Sequence, residues 1–193
     1  MSSLWLNKFR KNYHSQNGED GVLEEIFRHI GTTNKYAIEF GAWDGIKFSN
    51  TFHLIEQGWR GLMIETDPAR YEELSNNMKG SDVVCRQMHV CRIDELDFVD
   101  PDLLSVDVDG EDYNLFDGMN KMRPHVVVIE VNSSISPNVD KIPGILPMVR
   151  LAKFKKYELA LHTGNCIFVR REHADSLDID RKHWQELFDP SWL

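Results

Sequence analysis

Short apolar runs, several ending on an acid, alternate with amphipathic stretches along this chain. Residues 36–40 read Tyr-Ala-Ile-Glu-Phe and 61–66 read Gly-Leu-Met-Ile-Glu-Thr. Residues 103–109 read Leu-Leu-Ser-Val-Asp-Val-Asp and 125–130 read His-Val-Val-Val-Ile-Glu. Runs this short, apolar on both faces, are strands of a sheet covered on both sides. A weaker strand spans 83–90. The stretches between have helical spacing. Over 18–30, Val22, Leu23, Ile26, Phe27 and Ile30 share one face, with Asn17 placed to cap the start and Gly31 to end it. Ser49 or Asn50 caps a second helix ending near Gly58. Asp67 and Pro68 open a third, with Tyr71, Leu74 and Met78 inward and Gly80 at its end. A short helix follows Gly110 through Met119. Another over 145–156 turns Ile145, Met148, Val149 and Ala152 inward and keeps a basic outer face. Strands over 157–161 and 166–170 flank His162-Thr-Gly-Asn165, a connection short enough for an antiparallel pair. A last helix around 180–188 buries Trp184, Leu187 and Phe188. This alternation predicts an α/β fold, a mostly parallel sheet with helices on both faces.

The 193 residues suffice for a single domain. It divides into an N-terminal helical segment 1–33, a core 34–171 and a C-terminal helical tail 172–193. With 31 Asp and Glu against 22 Lys and Arg, the net charge of −9 disfavours broad nucleic-acid binding. No apolar run reaches the roughly 18–20 residues that span a bilayer, and the first residues lack a signal-peptide core. Cys85, Cys91 and Cys166 are too few and too scattered for a disulfide framework or a zinc site, and they read as buried structural thiols. The expectation is a reduced, soluble, cytoplasmic protein without membrane contact. The stretch 94–102 holds five acids among nine positions and reads as a solvated connection.

In a doubly wound sheet, ligands bind beyond the carboxyl ends of the strands, where the strand order reverses. Glu39, Glu65, Asp107, Asp109, Glu130 and Asn132 fall at those ends. After the first strand comes Gly41-Ala-Trp-Asp-Gly45, a turn whose glycine lets backbone approach a ligand closely. Glu65 ends the next strand, 26 residues after Glu39, where an acid can accept hydrogen bonds from the hydroxyls of a ribose. The turn lacks the third glycine of a dinucleotide site, which argues against a nicotinamide oxidoreductase. It also lacks the lysine of a phosphate loop. A nucleoside ligand without phosphates suits this pattern.

These stretches resemble class I S-adenosylmethionine (SAM)-dependent methyltransferases, most of all the FkbM-type branch. The resemblance rests on Ser15-Gln-Asn-Gly-Glu-Asp20, Ile38-Glu-Phe-Gly-Ala-Trp-Asp-Gly45, residues 54–59 with 63–68, residues 103–113 and residues 126–130, with a weaker echo over 163–170. It covers most of 13–170. It implies a Rossmann-like, seven-stranded sheet of order 3-2-1-4-5-7-6 and SAM as cofactor. It implies that Glu39, Gly41 and Gly45 form the turn beneath the methionine part of SAM, and that Ala42, Asp44 and Ser49 also bind the cofactor. Glu65, with Thr66 and Asp67 nearby, would bind the ribose, and Asp107 would face the amino group. Gln16 would close over the cofactor, and Met88 or His89 would border the adenine. It implies a hydroxyl acceptor on a small molecule such as a sugar, nucleotide or natural product. The chain departs from the pattern in two places. The helix that usually crosses between strands three and four is nearly absent from 80–102, and the loop after Glu130 is compact. The site is then either open to a large substrate or completed by a second subunit, so a homo-oligomer is one expectation.

Asp107, Asp109, Glu130 and His162 are the candidate bases. Asp107 and Asp109, two apart on a strand, would share a face. With Glu130 and Asn132 they offer hard oxygen ligands for Mg²⁺, or they simply cap helices and loop amides. No metal ligand is assigned. A lone histidine such as His162 is more often structural. The Asn/Asp-Pro-Pro-Tyr/Phe signature of base amino-methylation is absent. The alternative reading is a non-catalytic SAM-fold binding or partner subunit.

Overall fold

The computed structural model describes residues 3–96 and 99–193. Seven strands, β1 (Tyr36–Phe40), β2 (Arg60–Glu65), β3 (Val83–Gln87), β4 (Leu103–Val106), β5 (Val126–Glu130), β6 (Tyr157–His162) and β7 (Asn165–Arg170), form one sheet of order β3-β2-β1-β4-β5-β7-β6. The first five run parallel, and β7 is antiparallel to both β5 and β6. Helices α1 (Glu19–Ile30), α2 (Phe52–Glu56), α3 (Pro68–Asn77), α4 (Asp112–Gly118) and α5 (Ile145–Phe154) connect them. Among the described residues no helix is long and apolar enough to cross a membrane.

Alternation along the strands divides the apolar side chains between two cores. Ile38, Phe40, Leu62, Ile64, Leu104, Val106, Val127 and Ile129 point to one face, where Leu115 and Phe116 of α4 and Met148 and Ala152 of α5 cover them. Ala37, Met63, Leu103, Val126 and Val128 point to the other, against α1, α2 and α3. With both faces covered, the polar ends of the strands are left as the place to meet a ligand. At the far edge β6 is buried along its whole length. The 3₁₀ turn Ser3–Phe9 packs beside it, where the Ser3 hydroxyl donates to the Ala160 carbonyl at 2.7 Å.

Several local expectations change. Helix α1 is preceded by Gly18 in the left-handed region, not capped by Asn17. The Asn17 amide donates instead to the Glu19 carboxylate. Helix α2 is short because it starts only at Phe52; the Ser49 hydroxyl still accepts the Phe52 amide, as a cap does. Strand β4 stops at Val106 rather than Asp109, because Asp109 and Gly110 both turn into the left-handed region. The expected C-terminal helix is only a 3₁₀ turn, Trp184–Leu187, although Trp184, Leu187 and Phe188 are buried. Of the cysteines, Cys166 is buried, but Cys85 is half-buried on the edge strand and Cys91 is exposed.

The acidic connection is the largest correction. Asp97 lies outside the described residues. Asp94 accepts the amides of Asn120 and Lys121, and Asp100 accepts that of Arg123. Asp102 is 0% exposed. Its carboxylate takes the amides of Thr33, Asn34 and Lys35 and the Thr33 hydroxyl at 2.6–3.0 Å. Burial by itself raises its pKa, but these hydrogen bonds outweigh burial and hold it below the usual carboxylate range. The interaction pins the turn that leads into β1. Asp102→Ala would leave three amides unanswered, and urea unfolding is expected to show a loss of about 2–3 kcal/mol. Because the folded pKa is lowered, this contribution is present at neutral pH and disappears as pH falls through the folded value.

Candidate functional site

A cavity of about 560 Å³ opens where the order reverses between β1 and β4. Gly41 makes this possible. Its φ is +74°, and a Cβ at that position would lie 1.7 Å from the Asp107 carbonyl oxygen, so only glycine allows the two strand ends to approach.

Of the residues expected to hold a cofactor, Gln16, Glu39, Gly41, Ala42, Ser49, Glu65, Thr66, Asp67 and Asp107 line the cavity. Gln16 arrives on an N-terminal strap wound around Asp20, whose carboxylate accepts the amides of Tyr13, His14 and Ser15. Glu39 is buried and accepts three hydrogen bonds. It accepts from the Ser49 and Thr51 hydroxyls at 2.6 and 2.7 Å and from the Asn50 amide at 2.8 Å. Burial nevertheless raises its pKa. At the end of β2, Glu65 accepts the amides of Trp43, Thr66 and Asp67 at 2.9, 2.7 and 2.8 Å. Three amides fix this carboxylate in place at the cavity wall while lone pairs remain for a ligand. Asp67 caps α3 through the amides of Ala69 and Arg70.

Asp44 and Gly45 do not reach the wall. The Asp44 carboxylate accepts the amides of Ile46 and Lys47, closing the turn. Gly45 packs against Leu74, Met78 and Met63, where a Cβ would collide. Both shape the turn from behind.

Asp107, Asp109 and Glu130 converge. One carboxylate oxygen from each lies within 4.8 Å of the others. The cause is not strand alternation, since the strand has ended. A left-handed residue at 109 (φ 53°) bends the chain back, and the Asp112 carboxylate holds the bend through the amides of Val108 and Gly110. Asn132 does not join them, as its carboxamide oxygen accepts from Ser134. Burial, then the charges of Glu130, Asp112, Asp109 and Glu39, push the Asp107 pKa up to about 7. Glu130 is raised by burial and by its acidic neighbours.

His162 is elsewhere. It ends β6, separated from β5 by β7, and it is buried. Its Nε2 lies 2.8 Å from the Ser133 hydroxyl, its Nδ1 accepts the Asp189 amide, and its ring stacks on Phe188 at 4.8 Å. Burial pushes its pKa down to about 4. It does not line the cavity. Its covering segments, the loop after β5 and the C-terminal tail, are far away in sequence.

The sequence reading missed Trp43, Lys47, Phe48, Asn50 and Arg70, which also line the cavity. Arg70 stands 4.1 Å from the Trp43 ring centroid, and the Lys47 ammonium 4.8 Å from that of Phe48. The presence of two large aromatics in the turn was the available signal.

No family model matches the chain, and no curated protein matches it in sequence. Solved structures do match. An O-methyltransferase from Bacillus cereus, in complex with S-adenosylhomocysteine (SAH), aligns at 15% identity and a TM-score of 0.55, covering 86% of each chain. Precorrin-6y C5,15-methyltransferase from Geobacter metallireducens aligns at 12% and 0.54, covering 84% of this chain and 92% of that one. A SAM-dependent methyltransferase from Aquifex aeolicus aligns at 10% and 0.50, covering 88% and 97%. The chain has the fold of the SAM-dependent methyltransferases, with the strand order expected from its motifs.

Two titrations test the electrostatics. In metal-free buffer, the carboxyl carbon signal of Asp107 is expected to titrate near pH 7, and Glu130→Gln to move the midpoint down. The unfolded imidazole of residue 162 gains a proton below about pH 6.5 while the folded one does not. Unfolding free energy is therefore expected to fall from pH 6.5 toward 4, with a shallower slope in His162→Gln.

Proposed function

We propose that this chain is a SAM-dependent methyltransferase of the FkbM type that methylates a hydroxyl oxygen of a small molecule such as a sugar, nucleotide or natural product. The observation that carries the reading is Glu65. Its carboxylate stands at the end of β2, one strand from the reversal, fixed by three amides and open to the cavity. That is the arrangement a pair of ribose hydroxyls requires.

The donor set fits SAM in charge as well. The lining presents Glu39, Asp107, Asp109 and Glu130, suited to positive groups, and residues 41–45 of the turn hold no lysine. When bound, SAM supplies a methyl group on a positively charged sulfur. Glu65 would hold the ribose, the Gly41 turn would receive the amino-acid end, and Gln16 would close over it from the strap. Asp107, in the cavity beside two further carboxylates, accepts the proton of the acceptor hydroxyl. The remaining work of the protein is alignment of the acceptor oxygen.

A second reading is favoured by the convergence of Asp107, Asp109 and Glu130. These oxygens would meet a divalent cation such as Mg²⁺, which would orient the acceptor.

Calorimetric titration with SAM and SAH tests the proposal. The wild type is expected to bind in the micromolar range, and Glu65→Ala to lose at least about tenfold, roughly 1.4 kcal/mol. Absence of binding with and without Mg²⁺ would overturn it. Binding without methyl transfer to any hydroxyl acceptor would leave the binding-subunit alternative. Turnover abolished by a chelator would select the metal-assisted route.

A further inference from the structure

One pair on the cavity wall is not accounted for by cofactor binding. Lys47 and Phe48 stand at the outer end of the turn, and both are exposed, Phe48 by 44%. Phe48 has a φ of 65°, a backbone region that bulky side chains avoid. Its amide is fixed there by the His14 carbonyl of the strap at 2.9 Å. A large apolar side chain held in a strained conformation and left facing solvent gains nothing for the core. Such strain concentrates where a ligand is gripped. The Lys47 ammonium lies over this ring and, among the described residues, has no carboxylate partner. The other strong cation on the wall, Arg70, is paired with Glu73 at 2.9 Å.

The floor of the cavity is acidic and repels anions. The exposed part of the lining also carries Asp67, Asp109 and Glu111, so the place for an anionic substituent is Lys47, which among the described residues has no carboxylate partner. The adjoining ring of that ligand would lie on the Phe48 face. We propose that Lys47 and Phe48 form the acceptor rim of this site and select a hydroxylated ring bearing a carboxylate or a phosphate. This rests on the methyltransferase reading, in which Glu65, the Gly41 turn and Gln16 already engage the cofactor. The hydroxyl to be methylated then points toward Asp107 while the anion stays at Lys47.

The test uses the full chain, isotope-labelled for amide NMR, with glucose 6-phosphate and glucuronate as probes and glucose as the uncharged control. Both anions are expected to shift the amides of residues 46–50 in a saturable way, with glucose far weaker. Lys47→Met is expected to weaken the anions about tenfold while SAH affinity stays within about twofold of the wild type. Phe48→Gly relieves the left-handed strain, so it is expected to keep or raise the melting temperature while weakening both probes. A merely structural phenylalanine would not show that split.

Three results overturn the proposal. The anions could leave residues 46–50 unmoved. They could bind Lys47→Met as well as the wild type. Or Lys47→Met could lose SAH affinity as Glu65→Ala does, which would assign the lysine to the carboxylate of the cofactor. Failure of the methyltransferase reading looks different: the wild type would not bind SAH at all. The proposed acceptor role would then fall with it, while the anion arm would still decide whether Lys47 and Phe48 form an anion site.

Discussion

The contact between Gly41 and the carbonyl of Asp107 is the constraint on which the rest of this site depends. Two parallel strands end side by side, and their backbones approach more closely than any Cβ would allow. That approach brings Glu39 and Asp107 to one cavity. It also leaves the turn after β1 free to send Trp43 outward, so that its amide can fix Glu65 on the neighbouring strand. A side chain at residue 41 would separate β1 from β4 and disperse the carboxylates together.

Around this contact the chain uses carboxylates in two ways. Asp20, Asp102 and Asp112 are buried, and each gathers amides from a turn. Their role is to shape loops. Asp107, Asp109 and Glu130 face the cavity, and Asp107 and Glu130 meet mainly repulsion and burial. The charge is stabilised at Asp102 and discouraged at Asp107 and Glu130. At Asp102 the Thr33 hydroxyl and three amides outweigh burial, while Asp107 meets burial and neighbouring charge.

The strands and the acids at their ends were legible because burial on both faces leaves a plain mark, a short β-branched run such as 126–130. Less of the site was legible. Asp109 was expected beside Asp107 through alternation, and it arrives there by a left-handed bend that alternation does not describe. Asp102 looked like part of a solvated acidic run, since the amides that bury it come from 67–69 residues earlier. His162 looked available at a strand end, and the residues that cover it, Ser133 and Phe188, are 29 and 26 positions away. Trp43 and Phe48 adopt a conformation that their residue type disfavours, so no propensity points to it.

The clustering of acids beside Asp107 makes the cavity a proton store. With a pKa raised to about 7, roughly half of the molecules carry a proton on that carboxylate at neutral pH. A positively charged guest favours the ionised form, so its entry shifts Asp107 toward giving up this proton. At neutral pH binding then releases up to about half a proton per site, and its heat carries that fraction of the ionisation enthalpy of whatever buffer receives it.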